Sequence, residues 1–231
     1  MDRIGKYRGS DKMADLVVNN YRTLLVMSRF GIGLGFAEHT IDEVCREHGV
    51  DTRTFMAVVN MLLHNEVTEN DVLSVSPVSL LMYLHNSHDY FLGFRLPGIR
   101  HDLVRVLGNP EDDLTRAIIN YFDQYVDEVR KHMSYEEEMV FPYVRNLLAG
   151  TQDGNYNIGI FHKHHDQVEA KLKEFKQILI KYYPGDSSNE LNGVLFDIFN
   201  CEYDLASHNE IEDHLFIPLI ENIEHKIRST K

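Results

Sequence analysis

The sequence predicts an all-α protein, an antiparallel four-helix bundle preceded by a small helical domain. Three observations lead there. Apolar residues recur at three- and four-residue spacing, and valine and isoleucine never alternate with polar residues long enough to suggest strands. Gly, Pro and capping residues punctuate the chain so that its second part falls into four long segments with short connections. Two of those segments carry the same spaced pattern of histidine, glutamate and proline.

Residues 1–66 are expected to form the small domain. Met13–Asn19 and Tyr21–Arg29 carry apolar residues at helical spacing, and Gly31 is a stop signal. Thr40 with Glu43 has the spacing of a capping box for a helix that Gly49 closes, and Asp51 caps the next. The polar, aperiodic stretch Glu66–Ser76 reads as a linker. Ser76-Pro77 then looks like an N-cap followed by proline at the first helical position.

The bundle is expected over residues 77–228. Its first helix should run from Pro77 to about Arg95, with Pro97-Gly98 kinking or interrupting it before Ile99–Leu107. The second should start after Asn109-Pro110 and reach about Leu148, with a turn over Gly150–Tyr156. The third should cover roughly Asn157–Tyr182, ended by Pro184-Gly185, and the fourth should run from Ser187 or Ser188 to about Ile227.

Composition narrows the function. The formal net charge of −13 repels phosphate backbones and anionic lipid headgroups, so neither nucleic acid nor a membrane is an expected partner. Residues 1–64 hold eight Lys/Arg against eight Asp/Glu, which lacks the basic footprint of a helix-turn-helix regulator. The start, MDRIGKYRGSDK, has no apolar signal region, and two cysteines are too few for a disulfide scaffold. A cytoplasmic location is expected. Histidine is abundant, at thirteen.

HMSYEEEMVFPYV from His132 and HNEIEDHLFIPLI from His208 share a histidine, a glutamate four residues on (Glu136, Glu212) and a proline ten residues on (Pro142, Pro218), at a constant offset of 76. An offset of 80 relates His85 to His165. The bundle therefore reads as two related helical hairpins, each giving one histidine from its first helix and His-x-x-x-Glu from its second. Residues i and i+4 share a helix face, so each pair can aim a nitrogen and a carboxylate at one point. An unpaired carboxylate buried in a core costs several kcal/mol, which divalent cations would offset. One His-x-x-x-Glu is usually a surface ion pair; two with matching prolines and upstream histidines are far more specific. Imidazole and carboxylate without thiolate suit iron, manganese or zinc. His85, His132, Glu136, His165, His208 and Glu212 are the expected metal ligands. His88 and His162 read as satisfied core or boundary histidines, with second-layer partners or surrogate ligands as the alternative. His164, His101, His214 and His225 read as solvated.

On these motifs the bundle resembles hemerythrin-like domains, and the chain from Met13 onward is similar to the repair-of-iron-centres (RIC) proteins. The resemblance implies two non-haem irons in an oxo-bridged centre, with the two glutamates bridging. It implies iron–sulfur cluster repair after nitrosative or oxidative stress, with damaged iron–sulfur proteins and O2 or NO as partners and a homodimer left open. Reversible O2 or NO binding or sensing is the alternative function. An oxygen-carrying hemerythrin would show His-x-x-x-His on the third helix, where Phe161 and Glu169 flank His165 instead. The stretch NNYRTLLVMSRFGIGLGFAEHTIDEVCREHGVD is similar to the small domain preceding the bundle in RIC proteins. Gly35 and Phe36 stand where that family usually carries paired cysteines. Cys45 is expected to be buried, so the small domain is expected to pack or dock without redox turnover.

Overall fold

The computed structural model describes residues 6–108, 112–151, 156–163, 166–184 and 188–229, with residues 162, 163 and 166–170 described in backbone only. Among the described residues there is no strand, only an isolated bridge between Lys12 and Thr40. The expected all-α class is therefore what the chain adopts.

The first helices are α1 (Met13–Asn19), α2 (Thr23–Arg29), α3 (Ile41–Glu47), α4 (Thr52–His64) and α5 (Glu69–Ser74). Their starts are fixed by side chains. Thr40 and Glu43 form a capping box on α3, and Asp51 accepts from the Thr54 N–H on α4. Gly31 and Gly49 have φ of +72° and +68°, left-handed values that glycine adopts without steric cost at a helix end. The expected linker is itself partly helical. Thr68 and Asp71 make a second capping box, and Val72 is buried, so α5 packs on α4.

The second part holds α6 (Pro77–Tyr90) and α7 (Leu96–Leu107), α8 (Asp113–Tyr135) and α9 (Phe141–Leu148), α10 (Asp166–Tyr182), and α11 (Asn189–Ile211) with α12 (Ile217–Ser229). A 3-10 segment, Ile158–Lys163, opens the third helix. Its Ile160 N–H bonds Asn157 three residues back rather than four, so that helix does not begin as the continuous α-helix expected. Ser76, Asp112 and Ser188 each accept a backbone N–H at a helix start.

Pro97 does not interrupt the first long helix. A single π turn, Phe91–Arg95, joins α6 to α7, and two more, Glu136–Val140 and Glu212–Phe216, join α8 to α9 and α11 to α12. Each ends one residue before a proline's neighbour: the N–H of Leu96, Phe141 or Ile217 reaches back five residues to Phe91, Glu136 or Glu212. Pro97, Pro142 and Pro218 follow immediately. A proline in a helix has no N–H and its ring crowds the carbonyl four residues back; the wider turn makes room for it.

Contacts divide the chain into two units, Met1–Ser87 with Glu210–Lys231, and His88–Asn209. The division runs through α6 and α11 rather than through residues 66–76. In the first unit Phe30 packs its ring on Phe55 and Tyr83, and α5 and α12 rest on the Glu212–Phe216 turn. In the second, α7, α8, α10 and α11 share one core built on Leu103, Phe122, Tyr125, Phe175 and Ile198. No helix among the described residues is long and apolar enough to cross a membrane.

Candidate metal centre

Helix periodicity selects the histidine that turns inward from α6. Leu80, Leu84, His88 and Phe91 lie on one buried stripe, and His88 is 3% exposed. His85, the ligand expected from this helix, is exposed. It falls off that stripe, and His88 takes the inward position instead. The choice tightens the internal repeat, since His88 precedes His165 by 77 residues, against 76 for the other pairs. His101, His214 and His225 are exposed, as expected.

On the second helix the Met133-to-Val140 stretch turns Glu136 fully into the core, where its side chain is 0% exposed. Its two oxygens face different histidines: Oε2 lies 3.1 Å from His88 Nε2, and Oε1 lies 2.9 Å from His132 Nε2. His88 is clamped on other sides as well. Its ring stacks on Phe141 at 5.4 Å and 6°, meets His208 edge-on at 5.3 Å, and its Nδ1 lies 2.8 Å from Glu137 Oε1. His132 lies flat against Phe161. His208 and Glu212, one turn apart on the fourth helix, are both fully buried. His88, Glu136, His208 and Glu212 form one group whose ligand atoms lie within 4.8 Å of one another. His132 stands beside that group through Glu136. His165 lies outside the described residues, as does the side chain of His162.

The electrostatics follow from the packing. Burial penalises a charged His88, yet Glu136 and Glu137 outweigh that penalty and lift its pKa to about 9. Burial would likewise raise Glu136, but hydrogen bonds from His132 and His88 hold its carboxyl well below the usual range. Glu136 and Glu212 each have no exposure, and a buried carboxylate needs positive charge near it. The donor set fits a cation: imidazole nitrogen and carboxylate oxygen without thiolate, and adjacent donors about 3 Å apart, as ligands at about 2.1 Å on a single ion stand. Sequence reasoning held His88 only as an alternative ligand and did not single out Glu137. The Leu80–Leu84–Phe91 stripe was the available signal for the first. For the second it was the acid that follows each repeated glutamate, Glu137 and Asp213.

The two cysteines are buried and neither is in a disulfide, Cys45 in the first unit and Cys201 in the second. Burial pushes the Cys45 thiol up to about 12, which removes it from thiolate chemistry near neutral pH.

The family described as the hemerythrin HHE cation binding domain matches residues 82–220, a span that contains all of these ligand candidates. The chain is also similar to the iron–sulfur cluster repair protein ScdA of Staphylococcus haemolyticus, 20% identical over 181 residues, which cover 76% of this chain and 82% of that protein.

Proposed function

This chain belongs to the hemerythrin HHE cation-binding family, and from that premise we propose that it carries a non-haem di-iron centre and serves in the repair of damaged iron–sulfur clusters under nitrosative or oxidative stress. The observation that carries this reading is Glu136. Its fully buried carboxylate offers one oxygen beside His88 and the other beside His132, so that each oxygen, with its neighbouring imidazole, would help to hold a cation. His88 takes the place of His85 in the ligand set, with His132, Glu136, His165, His208 and Glu212. The similarity to a cluster repair protein supports the cellular role.

When bound, the iron pair supplies coordination positions open to exchange, for a small ligand such as NO or for release of iron to an acceptor. The residues do the rest. Glu136, whose carboxyl is held below the usual range, keeps negative charge in a water-poor core, which favours cation capture. Phe91 lies edge-on to His208 and Phe141 stacks on His88; both are fully buried, which limits solvent around these imidazoles. Few protein donors per ion leave the metal exchangeable.

The test uses the full chain expressed with ample iron and purified in air. It is expected to hold two irons per chain, to absorb in the near ultraviolet, and to restore a damaged iron–sulfur enzyme in a cell-free mixture. Glu136→Ala and His208→Ala should lose both iron and repair. Full occupancy by a single zinc, with no iron, sinks the di-iron reading. Stable reversible O2 binding with no effect on cluster recovery favours a carrier or sensor instead.

A further inference from the structure

We propose that Glu137 is the positioning residue of the centre: it fixes the ring of His88 so that Nε2, rather than Nδ1, is presented to the metal. The inference rests on the di-iron reading and extends it to a residue outside the ligand set.

An imidazole on a helix has two freedoms that matter to a cation, the plane of its ring and the flip about the Cβ–Cγ bond. The stack on Phe141, 5.4 Å between centroids and 6° between planes, sets the plane. Stacking alone does not set the flip, because the ring covers nearly the same apolar surface either way round. Polar partners distinguish the two: Glu136 Oε2 lies at the Nε2 edge, where the metal would displace that contact, and Glu137 Oε1, 2.8 Å from Nδ1, is the partner that remains. The Glu137 carboxylate accepts from Nδ1–H and keeps a proton on that nitrogen, so that Nε2, which donates to Glu136 in the metal-free protein, is the nitrogen that gives up its proton and turns its lone pair to the metal. Such a carboxylate–histidine–metal chain both orients the ring and raises its basicity.

The local chain geometry explains how one helix supplies both a ligand and the group that aims another ligand. Glu136 and Glu137 are consecutive, so on a regular helix their side chains diverge by about 100°. The π turn that begins at Glu136 has Glu136 fully buried while Glu137 remains 29% exposed. His88 lies between the two carboxylates and touches one with each ring nitrogen. Glu137 thus reaches the centre from its rim without being able to join it.

The experiment compares the parent chain with Glu137→Ala and Glu137→Gln. Each is stripped of metal and titrated anaerobically with ferrous iron, and the His88 ring nitrogens are followed by 1H–15N correlation spectroscopy. Glu137→Ala should weaken ferrous binding by about 10- to 100-fold and lose the Nδ1–H signal in the metal-free protein. Glu137→Gln keeps a carbonyl acceptor, so it should keep that signal and bind within a few-fold of the parent. Parent-like binding by Glu137→Ala overturns the proposal. So does an equal loss in both variants accompanied by a fall in metal-free thermal stability, which marks a merely structural role. If Glu137→Ala does not fold, loss of the Nδ1–H signal in Glu137→Gln overturns it as well. A parent chain that binds no ferrous iron removes the di-iron reading itself, an outcome separate from any difference between parent and variants.

Discussion

Glu136 and His88 form an ion pair in the core before any metal arrives, and that pair has a pH signature. His88 is held to about 9, above the ordinary histidine value of 6.5, so its contribution to metal-free stability is complete below about 6.5. It is lost as pH rises through about 9. Glu136 is depressed, so its contribution is present above about 4.5 and lost only in stronger acid. The metal-free protein should therefore lose stability between pH 7 and 10, read as a falling urea midpoint, and His88→Gln should flatten the slope. An unchanged midpoint in the parent over that range rules out the pair. The same residue shows what the sequence could and could not reveal. The repeated His-x-x-x-Glu pattern was legible because i and i+4 meet on any helix. The choice between His85 and His88 needed the phase of α6, which its neighbours Leu80, Leu84 and Phe91 set by burial. Glu137 was hidden because its role depends on a residue 49 positions away.

At the scale of the element, capping chemistry was the most readable signal and one instance was passed over. Thr40, Asp51 and Ser76 were read as caps and act as caps. Thr68 with Asp71 has the same spacing, but the short polar stretch around it carries too little apolar periodicity to stand out, with Val72 the one buried residue of α5 itself and Val75 buried just after it. Thr68→Ala removes an acceptor for the Asp71 N–H and should destabilise the protein by about 0.5–2 kcal/mol, measured by urea unfolding. A change below about 0.3 kcal/mol, outside the range for a working N-cap, would mean that α5 is held by Val72 packing alone. The helix containing Pro97 failed in the opposite direction. Proline was read as a kink or an interruption, whereas the chain widens one turn and continues. That outcome is not local: the core residues Phe91, Leu96 and Ile99 on both sides of the turn must all face inward.

For the molecule as a whole, the two fully buried glutamates sit in a chain of net charge −13, where every added cation relieves repulsion. Metal bound to the folded state alone stabilises it by mass action, about 2.7 kcal/mol at free metal 100-fold above Kd. For a chain of this size that corresponds to roughly 5–10 °C. Calorimetry of the iron-loaded protein before and after chelation should show a fall of that order, and His208→Ala should show none. Equal transition temperatures in the parent with and without iron would contradict a buried centre. The all-α class was legible because periodicity and breakers are local. The grouping of residues 210–231 with 1–87 was not, because no local pattern encodes which distant segments share contacts. The three π turns carry a last consequence, one of counting. Each holds one residue more than an α-helix needs to cover the same arc, a single-residue insertion absorbed within the helix. These are the places where a helix of this protein can change length by one without rotating everything after it to another face. Shortened by one residue anywhere else along α8 or α11, the helix would carry its downstream half about 100° out of phase. Sequences that share this architecture should therefore gain or lose single residues just ahead of these three prolines, beside the centre, and almost nowhere else within the long helices.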